Sequence, residues 1–223
     1  MKFELAVLDM AGTTVRDDGL VVRAFEDAAT AVGVPENGAE RDAARRYVLD
    51  TMGQSKIEVF RALFGSEERA REANIAFEKA YEQHIDAGVS PVDGAAQAIS
   101  TLRDAGVKVA LTTGFSPSTQ HRILDALGWD DIADVVLSPG RAVRGRPYPD
   151  LVLTALMQSG AADIRRVAVV GDTSSDVDSG RRAGAPVVVG VLTGAHDEQR
   201  LRAAGATHVL ESVAGLPDLL LPA

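Results

Sequence analysis

The sequence lacks cysteine, and it is poor in aromatic and basic residues. With no Cys among 223 residues, disulfides, thiolate metal sites and cysteine nucleophiles are excluded. Aromatic residues make up 4% of the chain, which argues against stacking surfaces for single-stranded nucleic acid and predicts a core of mainly Ala, Val and Leu. The net charge of -9 argues against sequence-independent binding to nucleic acid or anionic membranes. A small anionic substrate is still compatible, because a metal and a few cations can reverse the field inside one pocket.

Long apolar runs are also missing. No stretch approaches the roughly 20 residues that cross a bilayer. The amino-terminal apolar run is interrupted by Glu4 and ended by Asp9, which is unlike a signal peptide. We therefore expect a cytoplasmic protein that does not bind membranes. Because 46% of the residues are hydrophobic, the chain can build a sizeable core in one large domain or two unequal ones.

Short apolar runs alternate with segments of helical periodicity over most of the chain. The runs predict strands of a parallel sheet at residues 5–8, 107–112, 135–137, 167–170 and 187–191. Helical spacing of apolar residues predicts helices at 92–105, 117–127 and 149–159. This alternation is typical of a doubly wound α/β fold with a parallel sheet.

The segment between the first two strands breaks the alternation. It contains four predicted helices, at 20–32, 38–50, 54–64 and 67–87, and no convincing strand. Because a crossover of this length is unusual, we predict an all-helical cap domain at 17–87, inserted into an α/β core domain of residues 1–16 and 88–223. The alternative is a continuous α/β domain with an irregular helical excursion.

The first strand ends in Asp9, followed by the turn Ala11-Gly12-Thr13-Thr14. Ligands of open α/β sheets bind at the carboxyl ends of the strands. A carboxylate placed there can attack a phosphorus centre, and the amides of the turn can hold phosphoryl oxygens. Taken alone, an Asp before a Gly-containing turn more often serves the turn itself.

Polar residues at the other strand ends favour a catalytic role for Asp9 over a role in the turn. Thr112-Thr113-Gly114 offers small hydroxyl groups for a phosphoryl oxygen, and Arg146 offers a fixed positive fork. Asp172 and Asp176, four residues apart, can face one cation from the start of a helix, and such hard oxygen ligands suit Mg²⁺. Each group has an ordinary role as a cap, a turn or a surface residue, but their order at successive strand ends favours an active site.

These residues resemble the four sequence motifs of the haloacid dehalogenase superfamily of hydrolases, and the resemblance spans the whole chain. It implies a Rossmann-like core with an inserted helical cap, and a covalent aspartyl intermediate on Asp9 that water hydrolyses. It also implies Mg²⁺ held by Asp9, the backbone carbonyl of Ala11 and Asp172, with Asp176 in the outer shell or completing the coordination sphere.

Two departures point away from ordinary phosphate ester hydrolysis. Phosphatases of this superfamily carry an Asp at the position of Ala11, where it protonates the leaving alkoxide, and alanine cannot transfer protons. Their usual third-motif Lys is Arg146 here. Cleavage of a carbon–phosphorus bond would fit this change, because a Lys can form a Schiff base with a neighbouring carbonyl and act as an electron sink.

Lys56 is the lysine best placed for that chemistry, in a break between two cap helices. Lys2 and Lys108 are expected at the far end of the sheet, and Lys79 on a solvated helix face. The string Thr51-Met52-Gly53-Gln54-Ser55-Lys56 resembles the cap motif of phosphonatases, in which the matching Lys forms the Schiff base. The resemblance implies that Met52 contributes to substrate binding.

Two positions depart from the phosphonatase pattern. The family has a His where this chain has Val59, and an aromatic residue where it has Met10. The chain therefore looks closest to a phosphonatase-like group that shares the Lys and acts on another 2-oxoalkyl phosphonate. The resemblance also suggests a homodimer formed through the cap.

The leading hypothesis is a magnesium-dependent hydrolase that cleaves the C–P bond of a small 2-oxoalkyl phosphonate. Its catalytic residues would be Asp9, Lys56, Arg146 and Thr113. Substrate contacts would come from the strand-end residues Gly12, Thr13, Thr112 and Gly114, together with Met52. The alternatives are a phosphatase acting on a small phosphate monoester, and a degenerate binding protein without activity. The four histidines lack zinc-ligand spacing and are expected to be surface or packing residues.

Overall fold

The computed structural model describes residues 2–221. A single parallel sheet lies at its centre, with six strands in the order β3-β2-β1-β4-β5-β6. The strands are β1 (Leu5–Asp9), β2 (Lys108–Thr112), β3 (Val135–Leu137), β4 (Val167–Gly171), β5 (Val187–Val191) and β6 (His208–Leu210). This order, with helices between the strands, confirms the predicted doubly wound α/β fold.

Four helices lie between β1 and β2, as the sequence predicts: α1 (Leu20–Ala31), α2 (Ala39–Asp50), α3 (Lys56–Phe64) and α4 (Glu67–Ala87). The later helices are α5 (Ala95–Asp104), α6 (Pro117–Leu127), α7 (Asp150–Ser159), α8 (Ser174–Ala183), α9 (Glu198–Ala204) and α10 (Leu216–Leu220). Short 3₁₀ turns occupy Ile164–Arg166 and Val213–Gly215. Within residues 2–221, no helix has the length and apolar character needed to span a bilayer.

The sheet core is aliphatic, and β1 shows why its residues alternate between two faces. Leu5 and Val7 belong to one buried cluster, and Ala6 and Leu8 belong to the cluster on the opposite face. Successive strand residues point to opposite faces, so a strand covered on both sides reads as a continuous apolar run.

The helical segment has a different core. Five of the six phenylalanines pack with one tyrosine in a single aromatic cluster, which consists of Phe25, Phe60, Phe64, Phe77, Tyr81 and Phe115. This cluster is continuous with the aliphatic residues on one face of the sheet. The expectation of an Ala, Val and Leu core therefore describes the sheet but not the helical segment.

The register of the strands sets out the site. Asp9, the last residue of β1, lies opposite Thr112, the last residue of β2. On the other side of β1, Leu8 pairs with Val170 of β4, so Asp172 follows directly at the same edge. Because the strands are parallel, their carboxyl ends gather these polar residues on one side of the sheet.

Candidate active site

Asp9 is buried at the end of the central strand, with 5% of its surface exposed. Arg146 meets it from the loop after β3, and its Nη1 lies 2.6 Å from Asp9 Oδ1. Burial, together with the nearby Asp176, raises the pKa of the Asp9 carboxyl to about 7, although Arg146 acts in the lowering direction. A bound cation would favour the charged carboxylate that a nucleophile requires.

Arg146 is buried and uses its whole guanidinium group. Besides Asp9, it pairs through Nε with Asp176 Oδ1 at 2.7 Å. Its Nη2 donates to Thr112 Oγ1 at 2.6 Å, and its Nη1 donates to the Gly53 carbonyl of the helical segment at 3.3 Å. The planar fork of arginine can join these acceptors in one fixed geometry.

Asp9, Asp172 and Asp176 each place one carboxylate oxygen within 4.8 Å of the others, and all three residues are buried. Burial, Asp9 and Asp176 all raise the pKa of Asp172. Three buried carboxylates this close need positive charge beyond the one arginine, and hard oxygen donors suit a divalent cation such as Mg²⁺. The residues therefore fit a metal centre.

Asp172 is held from two sides. Thr13 Oγ1 donates to its Oδ1 at 3.2 Å, and the Ala195 amide donates to its Oδ2 at 2.7 Å. Gly12, with φ of 90°, lies so close that a Cβ there would come within 2.5 Å of Asp172 Oδ2. Glycine is required at this position both for its backbone conformation and for this close approach.

Asp176 is already bonded at both oxygens. While Oδ1 pairs with Arg146, Oδ2 accepts hydrogen bonds from the amide and hydroxyl groups of Thr173. Thr173 and Asp176 form a capping box at the start of α8. This arrangement favours the outer-shell alternative for Asp176 over direct contact with a metal.

The turn after Asp9 differs from the expectation that its amides face a phosphoryl group. The amides of Thr13 and Thr14 donate to the Met10 carbonyl at 3.1 and 2.9 Å, and the Gly12 amide donates to the Val15 carbonyl at 2.8 Å. The turn closes on itself, so these donors are engaged in its own backbone. Gly12 and Thr13 instead contact the site through Asp172.

The end of β2 links the sheet to the helical segment. The Thr113 hydroxyl is buried and accepts a hydrogen bond from the Phe115 amide at 3.2 Å. The Gly114 carbonyl accepts a hydrogen bond from the Lys56 amide at 3.3 Å. Lys56 begins α3, so this contact fixes the lysine relative to the strand ends.

The Lys56 side chain points into the aromatic cluster, and 8% of its surface is exposed. Its Nζ lies 5.1, 5.6 and 5.9 Å from the ring centres of Phe115, Phe25 and Phe77. Burial lowers the pKa of the Lys56 amine from 10.5 to about 8, although Asp17 and Asp9 oppose that shift. A larger fraction of the amine is therefore neutral, and nucleophilic, at neutral pH.

Asp9 and Lys56 face one enclosed cavity of about 30 Å³, room for one or two waters. Its lining comes from both the strand ends and the helical segment, and includes Asp9, Ala11, Asp17, Met52, Lys56, Thr113, Gly114, Arg146 and Asp172. The structure thus brings all twelve residues singled out from the sequence to this cavity, directly or within one contact. For Thr112 and Asp176 that contact is Arg146, and for Gly12 it is Asp172.

Thr13 also reaches the cavity through Asp172, which completes the set. The other lysines lie elsewhere: Lys79 is exposed on α4, and Lys108 pairs with Asp134 at 2.9 Å. His196 is buried, and its Nδ1 accepts a hydrogen bond from the Ser174 amide at 2.8 Å, which is a packing role.

Two features of the cavity were not predicted from the sequence. Asp17 lines it, but the run Arg16-Asp17-Asp18-Gly19 reads as a polar connection between domains. The aromatic walls come from residues far apart in the chain, Phe25, Phe77 and Phe115. The sequence pattern predicts burial for such aromatic residues, but it does not indicate that a lysine points between them.

Comparison with known proteins identifies the family of the chain. Residues 3–184 match the family model of haloacid dehalogenase-like hydrolases, and the chain belongs to that family. It is an enzyme of the hydrolase class, which rules against the degenerate binding protein.

Individual proteins of known name or structure are also similar to this chain. The chain is 30% identical to a phosphonoacetaldehyde hydrolase from Bacillus cereus over 216 residues, which cover 88% of this chain and 78% of the relative. It is 26% identical to pyrophosphatase PpaX from Halalkalibacterium halodurans, over 99% of this chain and 96% of that one. A solved hydrolase from Pseudomonas syringae superposes with a TM-score of 0.85 at 26% identity, over 98% of each chain.

Proposed function

We propose that this hydrolase cleaves the carbon–phosphorus bond of a small 2-oxoalkyl phosphonate with the help of Mg²⁺. The observation that carries the proposal is the pairing of Asp9 with the buried amine of Lys56 across one cavity. Hydrolysis of a phosphate ester by an aspartyl nucleophile requires no nucleophilic amine, whereas imine formation does. The likeness to phosphonoacetaldehyde hydrolases supports the same substrate class.

In the proposed reaction, the neutral Lys56 amine adds to the substrate carbonyl. With the uptake of one proton, water leaves and a protonated imine forms. Asp9 then attacks phosphorus. As the C–P bond breaks, its electron pair moves into the imine and forms an enamine, so no acid is needed at Ala11. Water hydrolyses the aspartyl phosphate, and protonation and hydrolysis of the enamine release the carbonyl product and free Lys56.

The remaining residues would bind and orient the substrate. Arg146 and the Thr113 hydroxyl would contact phosphoryl oxygens, and Met52 would border the carbon chain. Asp9, Asp172 and the Ala11 carbonyl would hold Mg²⁺, with Asp176 behind them. The ion would supply charge neutralisation between the attacking carboxylate and the phosphonate.

We also propose that residues 17–87 act as a cap that opens. A cavity of about 30 Å³ cannot admit a phosphonate, so the helical segment must move away from residues 1–16 and 88–223 before substrate enters. Closure would then exclude water during imine formation, as lids commonly do.

Borohydride trapping tests the proposal. Incubation with phosphonoacetaldehyde and sodium borohydride should reduce the imine to a stable adduct, which peptide mass analysis should locate on Lys56. Lys56→Met should lose the adduct, whereas Lys79→Met, which removes an exposed lysine from α4, should keep it. If several 2-oxoalkyl phosphonates leave Lys56 unmodified, the imine mechanism is wrong.

A phosphatase acting on a small phosphate ester is the second candidate, favoured by the likeness to pyrophosphatase PpaX over nearly the full length of both chains. It would use Asp9 and the same metal centre but not Lys56. Turnover of p-nitrophenyl phosphate or sugar phosphates that is undiminished in Lys56→Ala would support this candidate.

A further inference from the structure

Asp17 is a cavity residue for which the reaction above has no role. It follows the turn after β1 and precedes α1, and its carboxylate is half-buried. Its Oδ1 accepts a hydrogen bond from the Val21 amide at 3.1 Å, which fixes the side chain against the first turn of α1. Val21 also lines the cavity, so this bond holds the carboxylate at the cavity wall.

The charges around Asp17 separate it from the metal centre. Asp9 and Asp172, the other carboxylates among the described residues lining this cavity, belong to the cluster that Arg146 joins. Asp17 instead shares the cavity with Lys56, which lies on α3. The other titratable neighbours of Asp17 are Arg23 on α1 and Tyr81 on α4. Burial raises the pKa of Asp17, and Asp17 is the group that most strongly favours the charged form of Lys56.

Imine formation needs a group in this place. When the amine adds to the carbonyl, its nitrogen must lose a proton, and the oxygen must gain protons before it can leave as water. Val59, beside Lys56 on α3, carries no titratable group, and the rings around Nζ are hydrocarbon. A carboxylate whose pKa is raised binds a proton more readily than an ordinary Asp, so it can accept one proton and return it in the next step.

We propose that Asp17 is the catalytic proton-transfer residue of imine formation on Lys56; this rests on the proposed function. Asp17 first takes a proton from the Lys56 ammonium, which leaves the neutral amine. The amine adds to the carbonyl, and a second proton passes from its nitrogen to the oxygen to give the carbinolamine. Asp17 then donates the proton it holds to the carbinolamine hydroxyl, the C–O bond breaks, and water leaves. The carboxylate ends the step ionised, beside the protonated imine, and the reverse sequence serves hydrolysis after C–P cleavage.

The test isolates imine formation by using Asp9→Asn as the background, in which phosphoryl transfer is blocked. The rate of borohydride-trapped adduct formation from phosphonoacetaldehyde then reports the Lys56 step alone. Adding Asp17→Asn should slow it by about 10²-fold, the usual scale of general acid–base catalysis. Asparagine keeps an acceptor for the Val21 amide, so the start of α1 should be preserved.

The matched control is Asp18→Asn, which removes the same charge from the exposed neighbour of Asp17. Asp18 has a positive φ of 47°, which asparagine tolerates, and its trapping rate should stay within about twofold of the background. If Asp17→Asn does not fold, Asp17→Ser, which keeps a hydroxyl acceptor, should show the same slowing.

The outcomes separate the two proposals. An adduct that forms equally fast with and without Asp17→Asn overturns the role of Asp17 but leaves the imine mechanism intact. If the unaltered enzyme forms no adduct on Lys56, the proposed function fails, and the role of Asp17 fails with it. Slowing in Asp17→Asn together with an unchanged Asp18→Asn supports both.

Discussion

Asp9 and Lys56 are buried to similar extents, with 5% and 8% of their surfaces exposed, but their surroundings stabilise charge differently. Asp9 lies among polar partners, with Arg146 at 2.6 Å and two more carboxylates close by. Lys56 has three aromatic rings around its Nζ. This cavity therefore keeps its carboxylate paired with a cation and its amine desolvated.

Each environment suits one chemical task. A carboxylate that attacks phosphorus needs positive charge to neutralise the approaching anion, and the strand ends supply it. An amine that attacks a carbonyl must lose its proton, and an apolar wall favours the neutral form.

Asp9→Asn should abolish the chemistry of the polar side and leave that of the aromatic side intact. The amide cannot form the aspartyl phosphate, so phosphate release should fall by about 10⁴-fold or more. Trapping on Lys56 should persist, because the aromatic wall is untouched. Assays of phosphate release and of adduct formation on the same preparation measure both. Loss of trapping as well would show that the two sides are not independent.

Arg146→Lys tests whether the polar side depends on geometry as well as charge. A lysine keeps the positive charge but cannot span Asp9, Asp176 and Thr112 at once. We expect a roughly 10²-fold loss of kcat, on the scale reported when a preorganised donor is removed, with the pKa of Lys56 little changed. Steady-state kinetics of the variant measure this loss. A kcat within a few-fold of that of the original enzyme would mean that the positive charge alone suffices.

The sequence predicted the polar side far better than the aromatic one. Asp9, Thr113, Arg146 and Asp172 each follow a strand, and a parallel sheet must bring strand ends together. The fold class and the four helices before β2 follow from periodicity in the same way. Strand β6 was missed, because His208-Val209-Leu210 is short and only half-buried.

The aromatic side depends on tertiary packing, which periodicity does not encode. Phe25, Phe77 and Phe115 come from α1, α4 and the loop after β2, and only their packing makes a wall around Lys56. Asp17 was not predicted as a site residue for a related reason, because the charged residues beside it made it resemble part of a linker. The closed hydrogen bonding of the turn at Gly12 was not predictable either, because residue spacing alone does not show where an amide points.

Lys56→Met should stabilise the fold, because methionine fills the aromatic wall without a charge to desolvate. The pKa of Lys56 falls from 10.5 to about 8 on burial, which corresponds to a gain on the order of 3 kcal/mol at pH 7. This cost of the lysine is fully present below pH 8 and is lost as the pH rises from about 8 towards 10.5. Urea unfolding should therefore show that the gain in the free energy of unfolding of Lys56→Met is smaller at pH 9.5 than at pH 7. A variant that is less stable than the original at pH 7 would contradict the desolvation argument.

The pH dependence of trapping should report the same pKa directly. In the Asp9→Asn background, which removes the carboxyl whose pKa is about 7, adduct formation should rise with pH and level off above about 8. The neutral fraction of the amine predicts an increase of about tenfold between pH 7 and pH 9. A rate still climbing towards pH 10.5 would mean that the aromatic wall does not desolvate the amine.

Arg200→Ala should have the smallest effect, although it too removes a contact between the helical segment and the rest of the chain. Arg200 Nη2 lies 3.3 Å from Asp50 Oδ1, and both side chains are substantially exposed, at 38% and 69%. Because water and salt screen such pairs, the loss should be below about 0.5 kcal/mol, with kcat and KM within about twofold. Asp50→Ala is the matched control for the partner. We expect the contacts of Arg146 with Gly53 and of Lys56 with Gly114 to hold the helical segment against the sheet. A large rise in KM in both variants would show instead that the exposed pair of Arg200 and Asp50 holds it.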